Sequence, residues 1–242
     1  MKPLAFESLV QAVNNYSMPS NAKRLVLDSQ LMILCGVTAA GKNTIISYLI
    51  EHQQFAYVVS HSTRLPRINH GELEKNGVDY WFVSQAEMYD LVRSHAFLEV
   101  KVIHQDTVSG TSLQSIQTAI DTHKRPITEI DVQGAAELMR EIPDFRPFFV
   151  LPPNFEIWMK RLHNRGVISS EDRLKRMRSA QSELATAIDD PQFILLVNHE
   201  VHETAAEIVQ GVDVREETQA ERRTLAVQLS KELEVQLSTL DY

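Results

Sequence analysis

Apolar positions along the chain follow two different spacings. Short uninterrupted apolar runs at residues 31–35, 148–151 and 193–197 are typical of buried strands. Elsewhere apolar residues recur three or four positions apart, as in residues 5–16 and 133–141, which predicts amphipathic helices. From residue 112 onward the helical and strand patterns alternate along the chain. This alternation predicts an α/β fold in which a parallel sheet has helices on both faces.

The remaining elements are predicted from the same patterns. A polar, loop-like segment at residues 60–70 and antiparallel strand patterns up to residue 109 interrupt the alternation, so we expect a small lobe beside the sheet. Ser84 and Glu87 have the spacing of a capping box, which predicts that a helix begins there. Further strands are predicted at residues 55–59, 80–83, 97–103, 106–109 and 126–130, and further helices at residues 45–49, 112–122, 154–164 and up to 188.

Beyond residue 212 the chain has the pattern of one more amphipathic helix. Leucines recur there at near-helical spacing, with charged residues between them. Such a stripe is expected to pack on the domain itself or against a second copy of the chain, as a homodimer. The leucines are Leu225, Leu229, Leu233, Leu237 and Leu240.

Composition narrows the functional classes. The 242 residues are 43% hydrophobic, enough for a full core in one domain with appendages. The net charge of −8 argues against non-specific nucleic-acid binding. The first residues lack the apolar region of a signal peptide and no stretch reaches the length of a membrane span, so we expect no membrane partner and a cytoplasmic location. The only cysteine, Cys35, is expected to be a small buried hydrophobe.

A glycine-bounded loop after the strand at residues 31–35 is the first candidate site. Gly36 and Gly41 allow the backbone to wrap so that its N–H groups converge on a phosphate, at the positive end of the next helix. Lys42 then places an ammonium group against the β- and γ-phosphate oxygens. This order of strand, loop and helix indicates a phosphate-binding P-loop, with an ordinary glycine-containing turn as the alternative.

One residue of this loop departs from the P-loop pattern. The lysine is normally followed by a Ser or Thr whose hydroxyl joins the Mg²⁺ shell, and here Asn43 follows it. An amide carbonyl oxygen is also a suitable Mg²⁺ ligand, and Thr44 lies one residue further on. Asn43 therefore stays a candidate metal ligand.

Charged residues elsewhere supply two further candidates. Arg64 and Arg67 lie three apart in a polar loop, where guanidinium groups either bind phosphate oxygens bidentately or form a solvated turn. Glu129 and Asp131 close a buried strand at its carboxyl end, where acidic groups are costly unless they meet a cation. A position near Mg²⁺ or the nucleotides would satisfy them. A helix N-cap is the alternative role for Asp131.

Several stretches resemble, in order, the motifs of guanylate kinases. The resemblance covers about residues 31–212, and its strength lies in the shared order and spacing of stretches that are individually weak. They are SHSTRLPR at 60–67, NGVDYWFVS at 76–84, FLE at 97–99, GTS at 110–112, EIDVQGA at 129–135, RLHNRG at 161–166, Arg176, and Val197-Asn198.

The resemblance implies a nucleoside monophosphate kinase that transfers a phosphoryl group from ATP to GMP, and to dGMP, with Mg²⁺. It implies a P-loop core for ATP, a GMP-binding lobe at residues 60–111 and a mobile lid at residues 161–178, all within a domain of residues 31–212. Residues 1–30 are then an N-terminal extension with a short helix, and residues 213–242 a C-terminal amphipathic helix. The small-molecule nucleotides ATP and GMP are the expected partners.

The resemblance also assigns roles to individual positions. Glu99 and Thr111 would recognise guanine, and chemistry supports this because guanine offers N1–H and an amino group to a carboxylate while its O6 accepts from a hydroxyl. The implied ATP-binding residues are Gly36, Thr38, Ala39, Ala40, Gly41, Lys42, Asn43, Thr44 and Asn198; the GMP-binding residues are Ser60, Arg64, Arg67, Tyr80, Glu99, Thr111 and Asp131; the catalytic residues are Lys42, Arg161, Arg165 and Arg176; and the Mg²⁺ contacts are Asn43 and, through water, Glu129.

Three positions depart from the family pattern and keep two alternatives open. Ala39 and Asn43 replace a loop Gly and the Mg²⁺-facing hydroxyl, and Ser109 stands where a phosphate-contacting Tyr is usual. One alternative is a guanylate-kinase-like interaction module with little or no activity, against which the retained Lys42 argues. The other is a related kinase that acts on a sugar phosphate and has no use for Glu99.

Overall fold

The computed structural model describes residues 6–69, 72–103, 106–164 and 170–240. These residues divide into two compact units. The helices are α1 (Phe6–Asn14), α2 (Ser20–Asp28), α3 (Lys42–His52), α4 (Gln85–Arg93), α5 (Leu113–Asp121), α6 (Val132–Glu141), α7 (Phe155–His163), α8 (Ser170–Asp189), α9 (Val201–Gln210) and α10 (Glu216–Leu240). The strands are β1 (Met32–Gly36), β2 (Phe55–Tyr57), β3 (His61–Ser62), β4 (Ile68–Asn69), β5 (Glu72–Leu73), β6 (Trp81–Phe82), β7 (Phe97–Ile103), β8 (Thr107–Ser112), β9 (Arg125–Glu129), β10 (Phe148–Leu151) and β11 (Ile194–Val197).

The first unit consists of the described residues up to Leu31 together with Phe55–Thr128. Its main sheet has the order β6-β3-β8-β7, in which β8 is antiparallel to β3 and β7 while β6 is parallel to β3. The residues of β2 pair in parallel with those of β9, with Tyr57 opposite Ile127, and β4 and β5 form a two-stranded hairpin. The antiparallel strands predicted from the sequence therefore lie within this unit.

Helix α1 packs on the main sheet of the first unit. Leu9 and Val13, four residues apart on one helix face, are buried against Met88 and Val92 of α4 and Phe97 of β7. The predicted capping box is present at the start of α4: Ser84 Oγ accepts from the Glu87 N–H, and the Glu87 carboxylate accepts from the Ser84 N–H at 2.7 Å. One cluster of apolar side chains thus joins the N-terminal helix to the predicted lobe.

The second unit consists of residues Met32–Gln54 and the described part of Glu129–Tyr242. Its strands β11, β10 and β1 are adjacent and parallel, with Phe149 of β10 opposite Cys35 and Leu195. All five residues of β1 are buried. Because successive side chains of a strand point to opposite faces, both faces of β1 are covered, as the α/β prediction requires.

Helix α10 packs within the second unit, against α8 and β11. Leu229, Leu233 and Leu237 of the predicted leucine stripe are buried there. Arg222 fixes the N-terminal half of the helix, because its guanidinium donates to the Leu195 carbonyl and the Glu207 carboxylate, both at 2.7 Å. The stripe therefore packs on the chain that carries it, the first of the two expected arrangements.

The structure contains elements that the patterns did not predict. Helix α2 begins at Ser20, beyond the predicted first helix, and α9 precedes α10. Strands β3 and β4 lie in the segment at residues 60–70 that was expected to be polar loop, and β5 follows it. The predicted turn at residues 104–105 and the part of the lid at residues 165–169 lie outside the described residues. Among the helices of the described ranges, none is both long and apolar enough to cross a membrane.

Candidate functional site

The loop at residues 36–44 has the backbone conformation of a P-loop. Gly36 and Gly41 both have positive φ, 136° and 101°, and Gly41 caps the N-terminus of α3. A Cβ at Gly36 would lie 2.5 Å from the Val150 carbonyl oxygen, and one at Gly41 would lie 2.2 Å from the Asn198 amide nitrogen. Both glycines are therefore required by the local geometry. Ala39 also has a positive φ, 63°, which is costly for a residue with a side chain.

Lys42 lies over this loop. Its ammonium donates to the Gly36 carbonyl at 2.6 Å and to the Val37 carbonyl at 3.3 Å. These contacts hold the positive charge beside the backbone N–H groups at the start of α3, where the helix dipole also favours an anion. Asn43 and Thr44, on the first turn of α3, have exposed side chains. A cation and exposed polar groups therefore lie together at the N-terminus of α3.

Side chains from α7 and from the residue after β11 hold the loop in place. The Asn198 amide nitrogen donates to the Ala40 carbonyl at 2.8 Å, while its carbonyl oxygen accepts from the Thr204 hydroxyl at 3.2 Å. The indole N–H of the buried Trp158 donates to the Thr38 carbonyl at 2.9 Å. Arg161 donates to the Asn198 and His199 carbonyls at 3.2 and 3.1 Å. These contacts preorganise the loop backbone.

Lys42 and three carboxylates lie within electrostatic range of the buried Cys35. Glu129 ends β9, and Asp131 caps α6 by accepting from the Gly134 N–H at 2.6 Å, so the capping alternative for Asp131 is observed. The third, Glu183 on α8, was not predicted. Among the described residues, Glu129 Oε2 and Glu183 Oε2 are buried with no hydrogen-bond partner. Burial raises the pKa of Glu183; the Lys42 ammonium opposes this rise, and the negative charges of Asp131 and Glu129 add to it.

Cys35 lies beneath the same loop, in β1. Its side chain is fully buried and its thiol donates to the Phe148 carbonyl, with the sulfur and oxygen 3.3 Å apart. Burial raises the pKa of this thiol well above its ordinary value, so the group stays protonated and unreactive. The expected role of Cys35 as a small buried hydrophobe is confirmed.

In the first unit, three of the predicted site residues form one hydrogen-bonded group. Glu99 Oε1 accepts from the Thr111 N–H at 3.0 Å and from the Thr111 hydroxyl at 2.8 Å. The Thr111 hydroxyl lies 3.2 Å from the Ser60 hydroxyl. Thr111 is fully buried and Glu99 half-buried. A carboxylate fixed in this way can accept hydrogen bonds from donors along one edge of a planar ligand.

The two loop arginines of the first unit differ in their surroundings. Arg64 forms a bidentate ion pair with the Glu74 carboxylate, in which Arg64 Nη2 lies 2.8 Å from Glu74 Oε1. The Arg64 guanidinium lies 4.7 Å from the centre of the Tyr80 ring. Glu74 is buried and also accepts from the Arg67 N–H at 2.8 Å. The hydrogen bonds from Arg64 lower the pKa of Glu74 below its ordinary range. The Arg67 side chain is exposed.

Glu74 is thus a site residue that the sequence reasoning missed. Its carboxylate holds Arg64 and the Arg67 backbone together, which orients the loop that carries both arginines. No local pattern in the sequence singles out Glu74, and a carboxylate in a polar segment is usually solvated. Ser109, at the third departure from the family pattern, donates its hydroxyl to the His61 carbonyl at 2.8 Å.

The predicted lid arginines are only partly described. Arg161 holds the P-loop region as given above, and Arg176 is half-buried on α8. Arg165 lies outside the described residues. In the described part of the chain, no three His, Cys, Asp or Glu side chains converge as a metal site would require.

Comparison with known proteins identifies the family. Residues 28–213 match the family model described as guanylate kinase. A curated guanylate kinase of Leifsonia xyli subsp. xyli is 34% identical over 186 residues, which cover 76% of this chain and 71% of that protein. Guanylate kinase 1 of Oryza sativa subsp. japonica is 35% identical over 173 residues, although the chain spans only 44% of that protein's length.

A solved structure supports the same conclusion at the level of the fold. The crystal structure of guanylate kinase from Anaplasma phagocytophilum matches with a TM-score of 0.54 at 23% identity, covering 74% of this chain and 82% of that one. The sequence match includes the P-loop, Arg64, Glu99, Thr111 and Asn198 within its bounds. The chain belongs to the guanylate kinase family.

Proposed function

We propose that this chain transfers the γ-phosphoryl group of ATP to GMP, and to dGMP, giving ADP and GDP or dGDP. The observation that carries the proposal is the fixed pair of Glu99 and Thr111 in the first unit. A carboxylate there satisfies the N1–H and amino donors of guanine, whereas adenine would leave the charge facing a lone pair. Arg64, oriented by Glu74 and Tyr80, is the proposed ligand of the GMP phosphate, together with Arg67 and Ser60.

The donor end of the reaction is assigned to the P-loop. The N–H groups at the start of α3 and the Lys42 ammonium would bind the β- and γ-phosphates of ATP. An oxygen of the GMP phosphate attacks the γ-phosphorus in line, the bond from that phosphorus to the β–γ bridging oxygen breaks, and ADP leaves with the electron pair. The acceptor oxygen is already ionised at neutral pH, so the step needs charge neutralisation and positioning rather than a general base.

Mg²⁺ fits the residues around the P-loop. The exposed amide oxygen of Asn43 is a hard ligand, and the buried, unpartnered Oε2 of Glu129 is an acceptor that a metal-bound water would satisfy. When bound, the ion would neutralise charge on the phosphates. Asn198 would act on ATP by holding Ala40 and thereby the loop, and Arg161, Arg165 and Arg176 would neutralise the transferred group.

The expected setting and partners follow from the same proposal. Small-molecule nucleotides are the ligands, and the cytoplasm, where ATP and GMP meet, is the proposed location. The single cysteine and its buried, protonated thiol are compatible with a reducing compartment. Because Leu229, Leu233 and Leu237 of α10 are buried within the chain, no homodimer is required to cover them.

The activity is tested by ADP release from ATP with GMP, dGMP, AMP, CMP and UMP as acceptors. We expect turnover with GMP and dGMP, and rates at least about 100-fold lower with the other three, because their bases do not present guanine's adjacent N1–H and amino donors to Glu99. Turnover with another acceptor but none with GMP would contradict the proposal.

Two variants separate this function from its alternatives. Lys42→Ala should lower the rate by about 10² to 10³ because it removes a preorganised charge from the transferred phosphate. An interaction module would retain its function in that variant. Glu99→Gln should raise the KM for GMP strongly, whereas a kinase for sugar phosphates would show unchanged kinetics.

A further inference from the structure

Tyr16, two residues beyond the end of α1, makes two hydrogen bonds to one backbone residue of β7. Its hydroxyl donates to the Phe97 carbonyl and accepts from the Phe97 N–H at 3.0 Å. Tyr16 lies before residue 28, where the match to the family model begins. No role has been assigned to it above.

Strand β7 is irregular at this point. Phe97 lies opposite Ser112 of β8, but Glu99 lies opposite Thr111, so two steps along β7 correspond to one step along β8. This is a β-bulge at Leu98, a feature that interrupts the ladder and re-aims the side chains after it. With a regular ladder, Leu98 would lie opposite Thr111 and Glu99 would point to the other face of the sheet. The bulge is therefore what places the Glu99 carboxylate beside Thr111.

The bulge lies where the sheet offers it little support. β7 is an edge strand of its sheet, so backbone groups on its outer side have no neighbouring strand to bind. Phe97 is fully buried, and an unpaired N–H or carbonyl there would be costly. The Tyr16 hydroxyl satisfies both groups at once. On the other side, a Cβ at Gly110 would lie 2.7 Å from the Glu99 carbonyl oxygen, so the two strands are in close contact at the bulge.

Helix α1 and its neighbours hold the Tyr16 ring in place. Leu9 and Val13 anchor the helix in the apolar cluster, and the Tyr16 ring contacts the His95 ring with the centroids 5.5 Å apart. Burial raises the pKa of Tyr16, the Phe97 contact lowers it, and the negative charge of Glu99 raises it. The hydroxyl therefore stays protonated at neutral pH, as both hydrogen bonds require, and Glu99 lies within its electrostatic range.

We propose that Tyr16 is a positioning residue for recognition of the acceptor base, because it binds both backbone groups of Phe97 and thereby maintains the bulge that holds Glu99 beside Thr111. The inference rests on the proposed function for the identity of the base as guanine. It assigns a role in acceptor specificity to the N-terminal segment of the chain, which otherwise would only add stability.

Tyr16→Phe tests the inference because it removes the hydroxyl and keeps the buried ring. We expect roughly tenfold weaker GMP affinity, the effect of losing a hydrogen bond that orders a binding group, with KM for ATP and kcat changed less than twofold. Tyr89→Phe is the matched control: Tyr89 packs against the same apolar cluster, and its variant should bind GMP as the unmodified chain does. A lower melting temperature with unchanged GMP affinity would overturn the proposal.

A double-mutant cycle shows whether Tyr16 acts through Glu99. In a Glu99→Gln background, Tyr16→Phe should weaken GMP binding less than twofold, because the group that it positions is already impaired. An undiminished tenfold effect would contradict the proposed route.

Amide hydrogen exchange without nucleotide provides a readout that does not depend on the identity of the acceptor. Tyr16→Phe should speed exchange at Leu98, Glu99 and Thr111 and leave β1 unaffected. If the unmodified chain fails to bind GMP, the proposed function is wrong. The positioning role is still tested in that case, because faster exchange at the bulge supports it and unchanged exchange contradicts it.

Discussion

Single residues in this chain set the local geometry of the P-loop and of the arginine loop at residues 60–67. Ala39 holds the P-loop with a positive φ of 63°, where the family pattern has a glycine. Ala39 is only 7% exposed, so the residues packed around it hold it in this strained backbone conformation. The departure from the family therefore preserves the loop conformation and adds a conformational cost to it.

Replacing this alanine should relieve the cost. Ala39→Gly is expected to raise the free energy of unfolding by about 0.5 to 1 kcal/mol, because glycine adopts positive φ without a Cβ clash, although it gains entropy when unfolded. Urea unfolding measures the change. Ala40→Gly is the control, since Ala40 is buried and is not among the residues with positive φ, and it should destabilise the chain. Equal destabilisation by both variants would refute the strain.

Glu74 sets the local geometry of the arginine loop through its ion pair with Arg64. Glu74→Gln should lower the free energy of unfolding by about 2 kcal/mol at pH 7, since it leaves a largely buried guanidinium without its charged partner. The pKa of Glu74 is lowered in the folded chain, so the stabilisation is fully present above the ordinary carboxyl pKa and is lost as the pH falls through the folded value. Urea unfolding of both proteins between pH 7 and pH 3 should show the difference shrinking below about pH 4. A difference independent of pH would contradict the ion pair.

At the scale of elements, regular patterns were predicted well. The bounds predicted for β7 and β10 match the observed Phe97–Ile103 and Phe148–Leu151, because unbroken apolar or alternating runs have only one way to be buried. Strands β3 to β5 have two residues each, too short to show a period. Helix α2 begins directly after Pro19, and a proline can precede a helix as well as follow one.

The candidate site was predictable to a similar degree. The P-loop glycines and Lys42 form a local motif, and Glu99 and Arg64 were identified from the ordered resemblance. Glu183 and Tyr16 could not be found this way, because their contacts join segments far apart in sequence; Tyr16 binds Phe97, 81 residues further on. Their positions depend on how α8 and α1 pack, and this packing cannot be inferred from the spacing of neighbouring residues in the sequence.

Helix α10 provides a prediction at this scale. Leu233 is fully buried and Val235 is 66% exposed on the same helix. Leu233→Ala should lower the free energy of unfolding by about 2 to 4 kcal/mol, while Val235→Ala should change it by less than about 0.5 kcal/mol. Urea unfolding at two protein concentrations gives both values. A loss of stability that depends on protein concentration would favour packing between chains over the observed packing within one.

At the scale of the whole molecule, the two compact units hold different groups of proposed site residues. The second unit holds the P-loop, Lys42 and the neighbouring carboxylates, and the first holds Glu99, Thr111 and the arginine loop. Each unit therefore has its own proposed ligand-binding groups, and binding of one nucleotide can be measured without the other.

Thermal melting with one nucleotide at a time tests the central claim, that the first unit recognises guanine, most directly. A ligand that binds only the folded chain raises its melting temperature, by an amount equivalent to about 2.7 kcal/mol at a concentration 100 times its Kd. We expect GMP alone to raise the melting temperature, AMP to leave it unchanged, and Glu99→Gln to need a much higher GMP concentration for the same rise. A response to AMP as large as that to GMP, or a GMP response undiminished in Glu99→Gln, would contradict the account.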